Sequence, residues 1–293
     1  MTRSLIVGWF SFAGMGATAG DLMAAEVARR WLHETGRIVQ VAALPCFPGD
    51  IDLAAVNPSD VDELVFVCGP FGNGWPITEL LERFAHCRLV GLDVSLLQSL
   101  DEWNPFDVLF ERESDRRLRP DLSLLADQPL VPLIGLVEVH PQSEYGDSGR
   151  HAQVGRLIRA ALAATEGAVF LIDTALEANA GALRSAAEVE SAIAKCDVVV
   201  TTRLHGMALA LKHGVPAVVV DPIAGGAKVA RQAAVLGWPH VILPEEVSVA
   251  VLTQSIAACL TEEARALARA CAQLARARLE GVHLQFRDAL EER

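Results

Sequence analysis

The chain has 293 residues, 52% of them hydrophobic and 21% charged, with a formal net charge of −12. That is enough apolar material for more than one buried core, and an acidic balance with no basic run excludes nucleic acid and anionic membrane surfaces as partners. The six cysteines form no C-x-x-C pair and most sit in apolar runs, so they read as reduced core residues of a cytoplasmic protein, without a zinc or disulfide framework.

At the N-terminus, Arg3, the apolar residues 5–12 and Ala17-Thr18-Ala19 imitate a secretory signal with its cleavage site. The run is short and opens an alternation of strands and helices. Residues 4–10 therefore read as a buried first strand entering a turn with Gly14, Gly16 and Gly20. These glycines lack G-x-G-x-x-G spacing, which argues against a nicotinamide cofactor. Residues 21–31 follow as an amphipathic helix with Leu22, Val27, Ala28 and Trp31 on its apolar positions. Strand, glycine turn and helix open a Rossmann-like domain. Further strands are expected at residues 38–44, 64–68, 89–94 and 108–110, each apolar enough to lie buried in a parallel sheet.

The Asp127-Gln128-Pro129 turn marks a domain boundary near residue 128, giving an N-terminal domain of residues 1–128 and a C-terminal domain of residues 129–293. In the second, residues 130–139, 168–173, 197–201 and 215–221 read as strands, the last two as continuous β-branched runs suited to a sheet centre. Helices are expected at 150–165, at 185–195 behind a Ser185/Glu188 capping box, at 207–213, and at 261–292 with a break or kink at Gly281. No stretch is apolar and long enough to span a bilayer, so no stable membrane insertion is expected.

The chemistry concentrates at Arg203-Leu204-His205-Gly206, which ends the 197–201 strand just before a helix. In open α/β sheets ligands bind at the carboxyl ends of strands, where the first free N–H groups of the next helix attract an anion. Arg203 can grip a carboxylate or phosphate with two parallel hydrogen bonds, His205 can exchange a proton near neutral pH, and Gly206 lets backbone approach closely. The alternative for Arg203 is a structural bridge to Asp197 or Asp221. The next strand ends in Asp221-Pro222, then Gly225, Gly226 and Lys228, one of three lysines in the chain. Gly72 and Gly74 belong to a glycine-rich turn beside Trp75, and Glu138 and His140 follow the first strand of the second domain. No His, Asp or Glu cluster has metal-ligand spacing.

Asp197, Arg203 to Gly206, Gly214-Val215-Pro216, Val218 to Val220 and Lys228-Val229 together resemble the C-terminal signature of the polysaccharide pyruvyl transferases. Arg112-Glu113-Ser114 and Gly20-Asp21 are weaker echoes of the same family. The resemblance implies two Rossmann-like domains facing across a cleft, as in GT-B glycosyltransferases, and an enzyme that moves a pyruvyl group from phosphoenolpyruvate to a sugar of an exopolysaccharide or cell-envelope precursor, without a cofactor. It makes His205 and Arg203 catalytic, and Arg203, Gly206 and Lys228 donor-binding. Asp21, Gly72, Gly74, Glu138, His140 and Asp221 become candidates for the acceptor or cleft. The chain departs from the family pattern at residues 17–19, 69–75 and 138–140, regions expected to shape the acceptor side. Two other readings stand beside this one. A GT-B glycosyltransferase would need a ribose-gripping carboxylate, for which Glu188 and Glu190 are the candidates, and a catalytically silent relative would only bind a phosphorylated metabolite or a partner.

Overall fold

The structure is a computed structural model and describes residues 1–139, 143–177, 179–226 and 228–291, with only the backbone of residues 143–145. His140, one of the expected cleft residues, lies outside them. The chain divides into two compact units, Met1–Pro129 and Leu130–Arg293.

The first unit runs β1 (Arg3–Val7), α1 (Ala19–Glu34), β2 (Ile38–Val41), β3 (Glu63–Val67), α2 (Ile77–Arg83), β4 (Arg88–Ser95) and β5 (Val108–Glu113). Its strands are parallel in the order β2-β1-β3-β4-β5. Central β3 is buried along its whole length, Glu63 included. That carboxylate is matched by Arg37 at 2.6 Å, Arg88 at 3.3 Å and the Ser4 hydroxyl at 2.9 Å, which is the way a buried charge is tolerated. Helix α1 packs Ala24, Ala25, Val27 and Ala28 against the sheet, small residues that let it lie close.

The second unit runs β6 (Leu133–Val137), α3 (His151–Ala163), β7 (Ala168–Leu171), α4 (Ala186–Ala194), β8 (Val198–Thr201), α5 (Leu204–Lys212), β9 (Ala217–Val220), α6 (Lys228–Leu236), β10 (Val241–Ile242), α7 (Val249–Cys259) and α8 (Glu262–Glu291). The order β10-β9-β8-β6-β7 is again parallel. The Val-rich strands β8 and β9 are buried throughout and lie inside the sheet, as continuous β-branched runs do when both faces are covered. The architecture is therefore α/β, with two Rossmann-like units. No helix among the described residues is long and apolar enough to cross a membrane.

Several expected elements differ in extent. The first strand stops at Val7, because Ser11 folds back in a 3-10 turn, accepting from Gly8 N–H at 3.1 Å and donating to the Ala42 carbonyl at 2.5 Å. β6 begins after Pro132, which has no N–H for the ladder. β5 runs on to Glu113, so Arg112 and Glu113 lie on the strand. Helix α5 begins at Leu204 rather than 207, with Arg203 as its N-cap residue. α8 passes through Gly281 without a break, since the approximately 1 kcal/mol that a glycine costs is small in a 30-residue helix. The capping box at α4 is offset. Ser185 accepts from Glu188 N–H at 3.2 Å, while Glu188 returns its bond to Arg184 N–H at 2.6 Å.

Candidate functional site

In each sheet the chain leaves a central strand to one side and then crosses back to the other. The reversal falls between β1 and β3 in the first unit and between β6 and β8 in the second. Loops diverge at such a point and leave a crevice at the carboxyl ends of the two strands.

At the β6/β8 reversal two threonines tie the strand ends together. Thr201 Oγ1 donates to the Val137 carbonyl at 3.0 Å and accepts from Arg203 N–H at 2.9 Å, and Thr202 Oγ1 accepts from Val139 N–H at 2.8 Å. Half-buried Arg203 then reaches across to β6, its Nε donating to the Glu138 carbonyl at 3.0 Å. One guanidinium edge is fixed by backbone, and Nη1 and Nη2 are left with no salt bridge among the described residues. His205 is exposed in the first turn of α5. The alternative pairing of Arg203 with Asp197 or Asp221 is not found among the described residues. Asp197 instead accepts from Leu133 N–H at 2.8 Å and meets Arg265 at 3.1 Å.

Gly206 is buried, and a Cβ there would lie 2.3 Å from Thr201 Oγ1 and 2.9 Å from Val137 Cγ1. The glycine thus lets the helix start seat against both strand ends. Asp221, also buried, accepts from Ile223 N–H at 3.1 Å and Ala230 N–H at 3.0 Å, capping α6. Lys228 is exposed at the first position of α6, at the end of the neighbouring strand.

Beside Arg203, a cavity of about 300 Å³ is lined by Glu138, Val139, His151, Arg159 and Asp173. The Glu138 carboxylate is held by Arg159 at 2.6 Å. His151, which no motif picks out, enters this cavity from the first turn of α3. Nothing in its neighbouring residues marks it, because Glu138, Val139 and Asp173 arrive from the ends of β6 and β7 and Arg159 lies two turns on along α3. Of the carboxylates a nucleotide-sugar enzyme would need, Glu190 is engaged by His213 at 2.6 Å and by Lys212, and Glu188 caps α4.

The remaining candidates lie in the first unit. Asp21 accepts from Thr18 N–H at 2.7 Å and from its hydroxyl at 2.8 Å, forming the cap of α1. It also lines a cavity of about 470 Å³ with Trp9, Cys68, Gly69, Arg112 and Asp121 at the β1/β3 reversal. Gly72 and Gly74 line a smaller cavity of about 180 Å³ with Trp9, Pro70 and Trp75. Two non-glycine residues here adopt left-handed backbone, Cys68 (φ 66°) just after β3 and Asp93 (φ 60°) inside β4, where its register with β5 shifts. Their side chains touch at 3.7 Å. Burial pushes both the Cys68 thiol and the Asp93 carboxyl above their ordinary values. Sequence patterns single out neither residue, since backbone strain leaves no mark in residue type here.

Residues 89–222 match the polysaccharide pyruvyl transferase family. This is a family of transferases. The polysaccharide pyruvyl transferase match runs from β4 to just beyond β9. It contains Arg112, Glu138, Arg203, His205, Gly206 and Asp221, while Asp21, Gly72, Gly74 and Lys228 lie outside it. No curated protein matches the sequence. Among solved structures, the chain resembles CalG4, the calicheamicin glycosyltransferase, at 15% identity over 93% of each chain with a TM-score of 0.36. It resembles the spinosyn rhamnosyltransferase SpnG at 13% identity, covering 93% of this chain and 95% of that one, with a TM-score of 0.37. It also resembles the ADP-heptose lps heptosyltransferase II of E. coli at 15% identity, covering 90% and 99%, with a TM-score of 0.28. Likenesses this distant say nothing about the reaction.

Proposed function

We propose that the chain transfers a pyruvyl group from phosphoenolpyruvate to two hydroxyls of a sugar in a glycan precursor, forming a cyclic ketal. The observation that carries this reading is the fixed guanidinium of Arg203 at the β6/β8 crevice, with His205 on the first turn of the helix that follows, inside the stretch that matches the pyruvyl transferases. An anion placed there meets two aligned guanidinium N–H groups and the free backbone N–H groups of α5.

The substrate dictates the order of events. A proton delivered to the methylene carbon of phosphoenolpyruvate makes the adjacent carbon cation-like. One acceptor hydroxyl adds to that carbon and gives up its proton. The C–O bond to phosphate then breaks, the second hydroxyl closes the ring, and its proton leaves with the phosphate, so proton gain and loss balance. In this reading Arg203 holds the carboxylate or phosphate, Lys228 supplies a second cation, and His205 moves a proton. Gly206 contributes by seating the start of α5. The N-terminal unit, residues 1–128 in the sequence reading, takes the acceptor side, with Asp21, Gly72 and Gly74 in its cavities. A phosphoenolpyruvate-dependent reaction and reduced cysteines suit the cytoplasm.

The test pairs calorimetric titration of phosphoenolpyruvate with phosphate release in the presence of an acceptor panel. His205→Ala is expected to bind phosphoenolpyruvate and to lose roughly 10²- to 10⁴-fold in rate, and Arg203→Ala to lose binding. Equal rates for His205→Ala and wild type would end the assignment of His205.

A further inference from the structure

The cavity that holds Asp21 and the one that holds Gly72 and Gly74 adjoin, for both are lined by Trp9 and Pro70. The Trp9 ring is fixed at the junction by a bond from Nε1 to the Pro70 carbonyl at 2.9 Å. Trp75 stands at the far cavity with 66% of its surface exposed, so its indole is open to a ligand there. The result is a trough of about 470 Å³ and about 180 Å³ with one indole at its middle and another at its end. Indole faces pack well against the C–H faces of pyranose rings, whose hydroxyl edges remain available to polar neighbours.

Charge narrows the ligand further. Arg112 is the basic side chain in the lining of the larger cavity, the smaller being lined by none, and its nitrogens are already engaged. Nη1 meets Asp121, with Asp93 at 3.7 Å, Nε meets Glu113 at 3.2 Å, and Nη2 donates to Ser95 Oγ at 2.7 Å. Three carboxylates surround this one cation, and of these Asp121, together with Asp21, lines the cavity itself, so the lining holds two carboxylates and one already-paired guanidinium. A carboxylate or diphosphate entering the trough would be desolvated among like charges, whereas hydroxyls could donate to Asp21 and Asp121.

We propose that this trough binds the acceptor as an uncharged or amine-bearing glycan of at least two sugar residues, and rejects uronates and nucleotide-diphosphate sugars. This deepens the proposed function and rests on its placing of the acceptor in the first unit.

The test is saturation-transfer NMR on the full chain with neutral disaccharides of glucose, galactose, mannose and N-acetylglucosamine, their methyl monosaccharides, glucuronate and UDP-glucose. At least one neutral disaccharide should bind about tenfold more tightly than its monosaccharide, and neither anionic probe should displace it. Trp75→Ala should bring the disaccharide down to monosaccharide affinity, and Trp9→Ala should abolish both. Glucuronate or UDP-glucose competing for the site, no neutral glycan binding, or an unchanged affinity in exposed Trp75→Ala would each overturn the proposal. Phosphoenolpyruvate is titrated into the same samples. Intact donor binding alongside failed glycan binding sinks the trough alone, whereas absent donor binding sinks the donor assignment.

Discussion

Nε of Arg203 donates to the backbone carbonyl of Glu138 at 3.0 Å, so the guanidinium at the end of one strand is aimed by the main chain leaving its neighbour. Because a carbonyl holds one edge, the remaining two nitrogens form a prepared fork. Lysine keeps the charge but cannot satisfy that carbonyl and present two parallel donors together. Arg203→Lys is therefore expected to weaken phosphoenolpyruvate binding by about 10- to 100-fold with little change in thermal stability. Calorimetry and thermal melts measure the two effects, and a lysine variant that binds normally would show that the fork is unnecessary.

Gly206 gives a steric prediction. A methyl group there would come 2.3 Å from Thr201 Oγ1, a hydroxyl already committed to Val137. Gly206→Ala should cost about 1–3 kcal/mol, by overpacking and by loss of the threonine tie. Denaturant midpoints would measure this, and a midpoint unchanged from wild type would contradict the overlap with Thr201 Oγ1 and with Val137 Cγ1 at 2.9 Å.

Asp221, one of the acceptor or cleft candidates, accepts from two backbone N–H groups that lead into α6. Asp221→Ala should destabilise the second unit by about 0.5–2 kcal/mol, the range for a lost helix cap. Asp221→Asn, which retains an acceptor oxygen, should lose less. Equal losses from the two variants would point to charge rather than capping.

The Glu63 cluster sets a pH dependence. Hydrogen bonds from Arg37 hold the Glu63 carboxyl below its ordinary range, outweighing the opposing effect of burial. A depressed carboxylate contributes stability that is complete above the unfolded value of about 4.3 and disappears as pH falls through the lower folded value. Glu63→Gln should cost about 2 kcal/mol at pH 7, less than a fully buried pair because Arg88 reaches solvent. The difference from wild type should shrink on acidification below pH 4. A gap constant from pH 7 to 3 would contradict the sign.

The second sheet was legible because its strands are continuous β-branched runs, and the Arg203 site because its residues are adjacent in the chain. Strand β10, with two residues, and helices α2 and α7 lack so plain a pattern. At Asp21 and Asp221 residue type alone could not reveal the helix-capping hydrogen bonds, since the type that caps a helix is also the type that binds a hydroxyl. Arg112 stood out by motif, but its partners Asp93 and Asp121 come from another strand and a later loop. The trough could not be read, because Trp9 and Trp75 are brought to one cavity only by the pairing of β1 with β3.

Cys46 alone among the six cysteines is exposed, and burial pushes the thiols of the other five upward. A maleimide dye offered to the native chain should accordingly couple at that single position, in the loop after β2. The fold thus carries its own attachment point for a fluorophore on the first unit, and ligand titrations can be followed optically without engineering a thiol.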